Sequence, residues 1–411
     1  NDNLQQYTRF WAAREFGPDH AKEIADIITT YTKFNGRRKP ELLEPLTYSL
    51  VNYEEAERVA ANYTALAKQA EDLSNELPPE SRDAFYELVL FPTKACAQLN
   101  ALYLAAGRNE LYARQGRASA NDFGAQALRL FQAQTNLMDY FNRTFADGKW
   151  DHFMDQAHLG YTGWADPPHN NTNSLHLTRI DVPPAAALGV AVEGSVPAWP
   201  GPTNDAVLPQ FDAFNRQHYH IDIFNKGKAL LDYSITASAP WILLNATNGT
   251  VKKDKRVRVS VNWAEAPAGL ASGEVNISGA SNKVVVKITA FNPAEPTRKS
   301  LRGFVEGDGC VSIEPEHFTA KKDAGANRWI KIPDYGHTLS AMRADGPVDV
   351  QATPGKDSPS LEYKMYLFHS GKVEVDSTVG ATLNFIPGRP LRYAVSFDDE
   401  TPQVITIVPA N

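Results

Sequence analysis

Apolar residues recur every three to four positions through the first third of the chain and every second position from about residue 210 onward. The first rhythm belongs to helices and the second to strands. Leu4, Tyr7, Phe10, Trp11 and Phe16 crowd the start, and Leu4, Tyr7 and Trp11 fall on one helical stripe. After Pro18, the set Ala21, Ile24, Ala25, Ile28 and Tyr31 continues the rhythm, and Gly36 is expected to end that run. Asn52 and Glu55 have the spacing of a capping box. Beyond it Ala56, Val59, Ala60, Tyr63, Leu66, Ala67, Ala70 and Leu73 trace one face, and Pro78 and Pro79 stop the helix. A further helix is expected from Pro79 to about Ala106, kinked at Pro92, and a last one from a cap at Ser119 or Asn121 to about Phe145. Short breaks between long amphipathic helices predict an antiparallel bundle over residues 1–163.

Residues 164–210 lose all periodicity. Stretches such as "ADPPHNNTN" and "VPAWPGPTND" predict an extended linker. Alternation then sets in. "YHIDIFNKG" turns Ile221 and Ile223 to one side and Asp222 to the other, and "LLDYSITAS", "RVRVSVNW", "GEVNISG" and "KVVVKITAF" follow with turns between them. These predict an immunoglobulin-like β-sandwich over residues 211–295. "NPAEPTRKS" interrupts the pattern. A second set of strands, from "CVSIEPEHF" to "QVITIVP", predicts a C-terminal β-sandwich over residues 302–411. The expected fold is therefore multidomain, α plus all-β: a helical bundle followed by two antiparallel β-sandwich domains.

Composition changes this picture little, though it excludes several functions. At 411 residues the chain exceeds one ordinary domain. Asp and Glu outnumber Lys and Arg by 48 to 41, a net charge of -7, which gives no basic surface for nucleic acid or an anionic membrane. No apolar run is long enough for a membrane span. Cys96 and Cys310 lie in a helical and a β-rich stretch, and a disulfide between them is not expected. Asn62, Asn142, Asn170, Asn245, Asn248 and Asn276 each begin an Asn-x-Ser/Thr acceptor, which suits a secreted, extracellular glycoprotein.

Three strings carry a resemblance. "FNGRRKPELLEPLTYSLVNYEEAERV", "KACAQLNALYLAAGRNELYARQGRASAND" and "KWDHFMDQAHLGYTGW" are similar to the helical part of glycoside hydrolase family 115, with Phe153 and Ala157 as small departures. "TLNFIPGRPLRYA" and "RYAVSFDDETPQ" resemble its C-terminal end. The resemblance implies a xylan α-1,2-glucuronidase, which removes glucuronic acid or its 4-O-methyl form from glucuronoxylan or another plant polysaccharide. It also implies an α/β domain and a (β/α)8 catalytic barrel ahead of the bundle. The sequence shows no strand–helix alternation able to build eight such units, so the chain is expected to begin where the barrel ends. The family's catalytic carboxylates lie on that barrel, and no catalytic residue is assigned here. A missing barrel would leave part of the opening stripe and of residues 148–164 exposed, and a homodimer is a further way to cover them.

The candidate chemistry is limited. "GKWDHFMDQAHLGYTGW" concentrates His152, Asp155, His158 and several aromatic rings. On a helix Asp155 would meet His158, but the spacing matches no zinc signature, so a seam of paired polar groups is preferred over a metal or substrate site. Arg37 and Arg38 could fork onto a uronate carboxylate, or be solvated turn charges. "VSIEPEHF" resembles the first strand of family 6 and family 35 carbohydrate-binding modules. Two apart on a strand, Glu314 and Glu316 would share one face, and the resemblance implies a structural calcium that Asp398 or Asp399 could close, against a solvated strand face as the alternative. Trp329 and Tyr335 are candidates for a sugar-stacking platform, against core packing as the alternative.

Overall fold

The computed structural model describes residues 3–161, 165–336, 338–348, 350–380, 382–384 and 386–410. It divides into two units, 1–295 and 296–411, and the cut falls inside "NPAEPTRKS". The expected boundary between bundle and linker at 163 and 164 lies outside the described residues.

The first unit opens with helices α1 (Leu4–Phe16), α2 (Ala21–Arg37), α3 (Glu55–Glu76), α4 (Pro79–Phe85), α5 (Phe91–Gln115) and α6 (Ala120–Arg143). Gly36 does not end α2. The helix runs through it, and Arg38 and Lys39 become extended ahead of Pro40, whose ring disfavours helical backbone in the residue before it. The capping box does not form either. Tyr53 and Glu54 take left-handed backbone, and Glu55 turns its carboxylate to the Ser49 N–H at 2.7 Å. The expected kink at Pro92 is a π-turn over Tyr86–Leu90 immediately before α5. Proline has no N–H to give and its ring crowds the carbonyl four residues back, so the helix widens there. Leucines, alanines and aromatic rings from these helices form several small cores, one of which joins Ile24, Ile27, Leu66, Leu73 and Phe85.

The presumed linker is two different things. Its first part is tied down by two asparagines. Asn109 of α5 and Asn121 of α6 each close a pair of hydrogen bonds on the connector backbone, at Thr178 and Ile180, with lengths of 2.7–3.0 Å. Its last part already belongs to the sheets.

Strands β1 (Leu188–Val192), β2 (Ala206–Val207), β3 (Phe211–Asp212), β4 (Tyr219–Asn225), β5 (Leu231–Ala237), β6 (Ile242–Leu244), β7 (Asn248–Val251), β8 (Asp254–Val261), β9 (Gly269–Gly279) and β10 (Asn282–Asn292) follow. One sheet runs β1-β4-β8-β6. The other runs β2-β10-β9-β5-β7, with β3 also on β10. Val190, Ile221, Ile223, Val257 and Val259 of the first share a core with Ile235, Val275, Ile277, Val286 and Ile288 of the second. Strand β4 is buried at every position. The face of Asp222, read from alternation as polar and outward, is covered by the helices.

In the second unit the strands are β11 (Phe304–Val305), β12 (Ala320–Lys322), β13 (Arg328–Ile332), β14 (Ala341–Asp345), β15 (Ser360–Glu362), β16 (Met365–Tyr366), β17 (Leu391–Val395) and β18 (Gln403–Val408). Among the described residues they pair two by two, β11 with β16, β12 with β15, β13 with β14 and β17 with β18. The structure thus has the expected helical region followed by strands, while the second sandwich is replaced here by short separate pairs.

Candidate functional site

The segment from Gly148 to Tyr161 is a series of turns, not a helix, so helical spacing does not govern its side chains. His152 takes left-handed backbone at φ 64° and its Nδ1 lies 2.6 Å from Asp155 Oδ2. That bond, with the charge of Asp151 beside it, raises the pKa of the exposed imidazole. Asp155 Oδ1 accepts from buried Asn142, whose own carbonyl accepts the Met154 N–H, both at 2.8 Å. Trp150 and Met154 lie on Phe91, Phe141 and Phe145, while Leu159 is buried among Leu99, Leu102 and Leu175. His158 does not meet Asp155 as expected. It is drawn inward, burial depresses its pKa, and its backbone N–H bonds Asn170 at 2.8 Å. The segment is a clasp over α5 and α6. Its Trp164 end lies outside the described residues.

A second seam was not legible in the sequence. Arg117, 2% exposed, lies in the short turn between α5 and α6 with its guanidinium 4.0 Å from the Tyr112 ring and 4.4 Å from the Phe224 ring. Its Nη1 reaches Asp222 at 3.1 Å and Asp254 at 3.4 Å. Arg256 of β8 holds Asp222 from the other side at 2.8 Å and extends to Glu54 at 2.8 Å. Burial alone would raise the Asp222 pKa, but the bond from Arg256 and the two positive charges hold it at about 2. Burial raises the neighbouring Asp254. Nearby, Glu193 takes the Tyr53 N–H at 2.9 Å and the His220 Nδ1 at 2.8 Å, and these bonds with His220 overcome burial and lower its pKa. The one signal in sequence was a charged residue amid β-branched neighbours, which alternation explains equally well as solvent-facing.

In the second unit the calcium reading is corrected. Pro315 starts a 3₁₀ turn over Pro315–His317, so Glu314 and Glu316 do not share a strand face. Glu316 pairs with Lys331 at 2.8 Å, and that bond with the Ser340 hydroxyl lowers its pKa. Asp398 lies in the turn after β17, at φ 45°. Among the described residues no group of three His, Cys, Asp or Glu side chains could hold a metal ion. Ser340 Oγ in turn accepts the Asp334 N–H at 3.3 Å, so Glu316 supports the turn that carries Tyr335. Tyr335 is 60% exposed and its ring lies against Gly380, where an added Cβ would come within 3.2 Å. Trp329 is half-buried with its indole N–H enclosed, three residues before the end of β13, while Tyr335 lies beyond that end.

Arg37 is half-buried with its guanidinium 4.6 Å from the Phe34 ring, and Arg38 bonds the Leu42 carbonyl at 2.9 Å. Asn62, Asn245 and Asn248 are exposed, whereas Asn142 and Asn170 are occupied in the bonds above and Asn276 lies half-buried within β9. Both cysteines are free thiols. Among the described residues no helix is long and apolar enough to cross a membrane.

Two family models match the chain: the glycosyl hydrolase family 115 C-terminal domain over residues 303–411, and glycosyl hydrolase family 115 over residues 1–42. They point to the class of the glycoside hydrolases. Within it, the two matches support a member of glycosyl hydrolase family 115. Among solved structures, it is similar to BtGH115A, described as a family GH115 4-O-methyl-α-glucuronidase with specificity for decorated arabinogalactans. Identity is 14%, 69% of this chain and 41% of that one are covered, and the TM-score is 0.32. It also matches WR4, a C. elegans MSP family member, at 11% identity over 20% of this chain and 90% of that one, with a TM-score of 0.17. The YadV chaperone matches at 11% over 41% and 86%, with a TM-score of 0.19. The chain thus spans less than half the length of the glucuronidase it matches. No curated protein matches it.

Proposed function

We propose that these 411 residues are the accessory portion of an α-glucuronidase that removes (4-O-methyl)glucuronic acid from glucuronoxylan, and that the hydrolytic site is carried by a barrel outside them. The observation behind this reading is element order within a family 115 chain. Among the described residues, helices α1–α6 all precede strands β1–β18. A (β/α)8 barrel needs strand and helix in alternation. Glycoside cleavage ordinarily needs two carboxyl groups flanking one bond. Among the described residues the carboxylates with displaced pKa values, Asp222, Asp254, Glu193, Glu306 and Glu316, are all bound to a cation, a histidine or backbone N–H groups. Incubated with glucuronoxylan, the chain alone should release no glucuronic acid above a buffer blank. Turnover clearly above that blank would refute the reading.

A second reading, a polysaccharide-binding protein, is favoured by Tyr335. Its open ring, seated on Gly380 and steadied through Ser340 and Glu316, suits the apolar face of a pyranose. Affinity electrophoresis in decorated and bare xylan discriminates the two. Retardation lost in Tyr335→Ala supports binding by residues 303–411, and unretarded wild-type chain leaves only a structural accessory.

A further inference from the structure

Among the described residues of the second unit, the deepest charged side chain is Glu306, 4% exposed, immediately after β11. Parallel pairing of Phe304 and Val305 with Met365 and Tyr366 brings it under the chain that leaves β16. Its Oε2 accepts the Phe368 N–H at 2.6 Å and the His369 N–H at 3.2 Å, and its Oε1 lies 2.5 Å from His369 Nδ1. These bonds with His369 and the Phe368 amide outweigh burial and keep the carboxyl below its ordinary pKa. A carboxylate only accepts, so Nδ1 carries the hydrogen. Nε2 is then the remaining polar atom of an imidazole whose side chain is 66% exposed.

The two backbone bonds already hold the turn. The third also fixes the direction of a solvent-facing ring, which costs rotamer freedom. Such orientation from beneath is how proteins aim a ligand-contacting histidine. The Tyr366 and Phe368 rings, 5.7 Å apart edge to face, precede it on the same stretch. Nε2 donates or accepts according to its protonation, and a sugar hydroxyl can answer in either role.

We propose that His369, oriented by Glu306, is a hydroxyl-binding contact for the sugar chain on residues 303–411. This rests on the second reading above, that this region binds polysaccharide. The test is calorimetry of the full chain with xylohexaose, glucuronoxylan and arabinogalactan, joined to ¹⁵N shifts of the His369 ring. His369→Ala leaves both backbone donors to Glu306, so the fold should stay intact while affinity falls about tenfold. In the wild type, saturating ligand should move the Nε2 resonance while Nδ1 keeps its hydrogen. If His369→Ala binds as the wild type does and Nε2 does not move, Glu306 merely clamps a turn and this inference is overturned alone. If the wild type binds none of the three, the binding reading fails and this inference falls with it.

Discussion

Asp222 shows how much one covered carboxylate changes the physics of a strand. Alternation marked its side of β4 correctly, because Ile221 and Ile223 do face the shared core. What alternation cannot tell is whether the other face meets water or a helix. Here it meets Arg117, contributed from 105 residues earlier in sequence. The pair has a defined pH signature. The folded pKa is about 2 against an ordinary 3.8, so the stabilisation is complete above about pH 4 and is lost as pH falls through 2. A shift of that size corresponds to about 2 kcal/mol. Asp222→Asn should therefore be less stable than wild type at pH 7, with the gap closing between pH 4 and pH 2. Urea midpoints across that range check it, and a gap that stays constant would show that the charge is not what matters.

At the scale of elements, the helices and most strands of the first unit were legible because their periodicities are long and regular. Their ends were not. The terminus of α2 answered to Pro40 rather than Gly36, and left-handed backbone at Tyr53 and Glu54 displaced a capping box whose residue spacing was right. The connector was the largest difference. Proline and asparagine said that it has no regular structure, and nothing in its composition said that Asn109 and Asn121 hold it. Asn109 is fully buried and also bonds the Ala120 carbonyl at 2.8 Å. Asn109→Ala strands these partners and should cost about 2–3 kcal/mol. It should also speed tryptic cleavage after exposed Arg179, the residue next to the Thr178 pin. Unchanged cleavage kinetics would mean that the connector is held elsewhere.

At the scale of the whole chain, the order of helices before strands was readable, and so was the break near residue 295. The second unit was less so, because the strands there are two to six residues long and most of their side chains stay partly exposed. Within the first unit, Arg117 makes helices and sheets one cooperative body. Removing it leaves Asp222 buried beside a single cation, and loss of one member of a buried pair costs about 3–5 kcal/mol. Arg117→Ala should accelerate amide exchange in α5 and in β4 by similar factors. Faster exchange confined to α5 would show that helices and sheet open independently. The expectation that part of the opening stripe lies exposed agrees with Leu4, Tyr7 and Phe10, each at least 66% exposed.

The joint between the helices and the first sheet also bears on how such a chain can be recombined. An oily contact tolerates a foreign partner of similar shape, whereas one made of Arg117, Glu54, Asp222, Asp254 and Arg256 works as a lock whose key lies on the far side of the connector. A chimera that crosses over between residues 165 and 187 separates the two and inherits mismatched charges. A crossover near 295 keeps lock and key in the same parent, which makes the second boundary, not the first, the natural place to exchange parts between relatives.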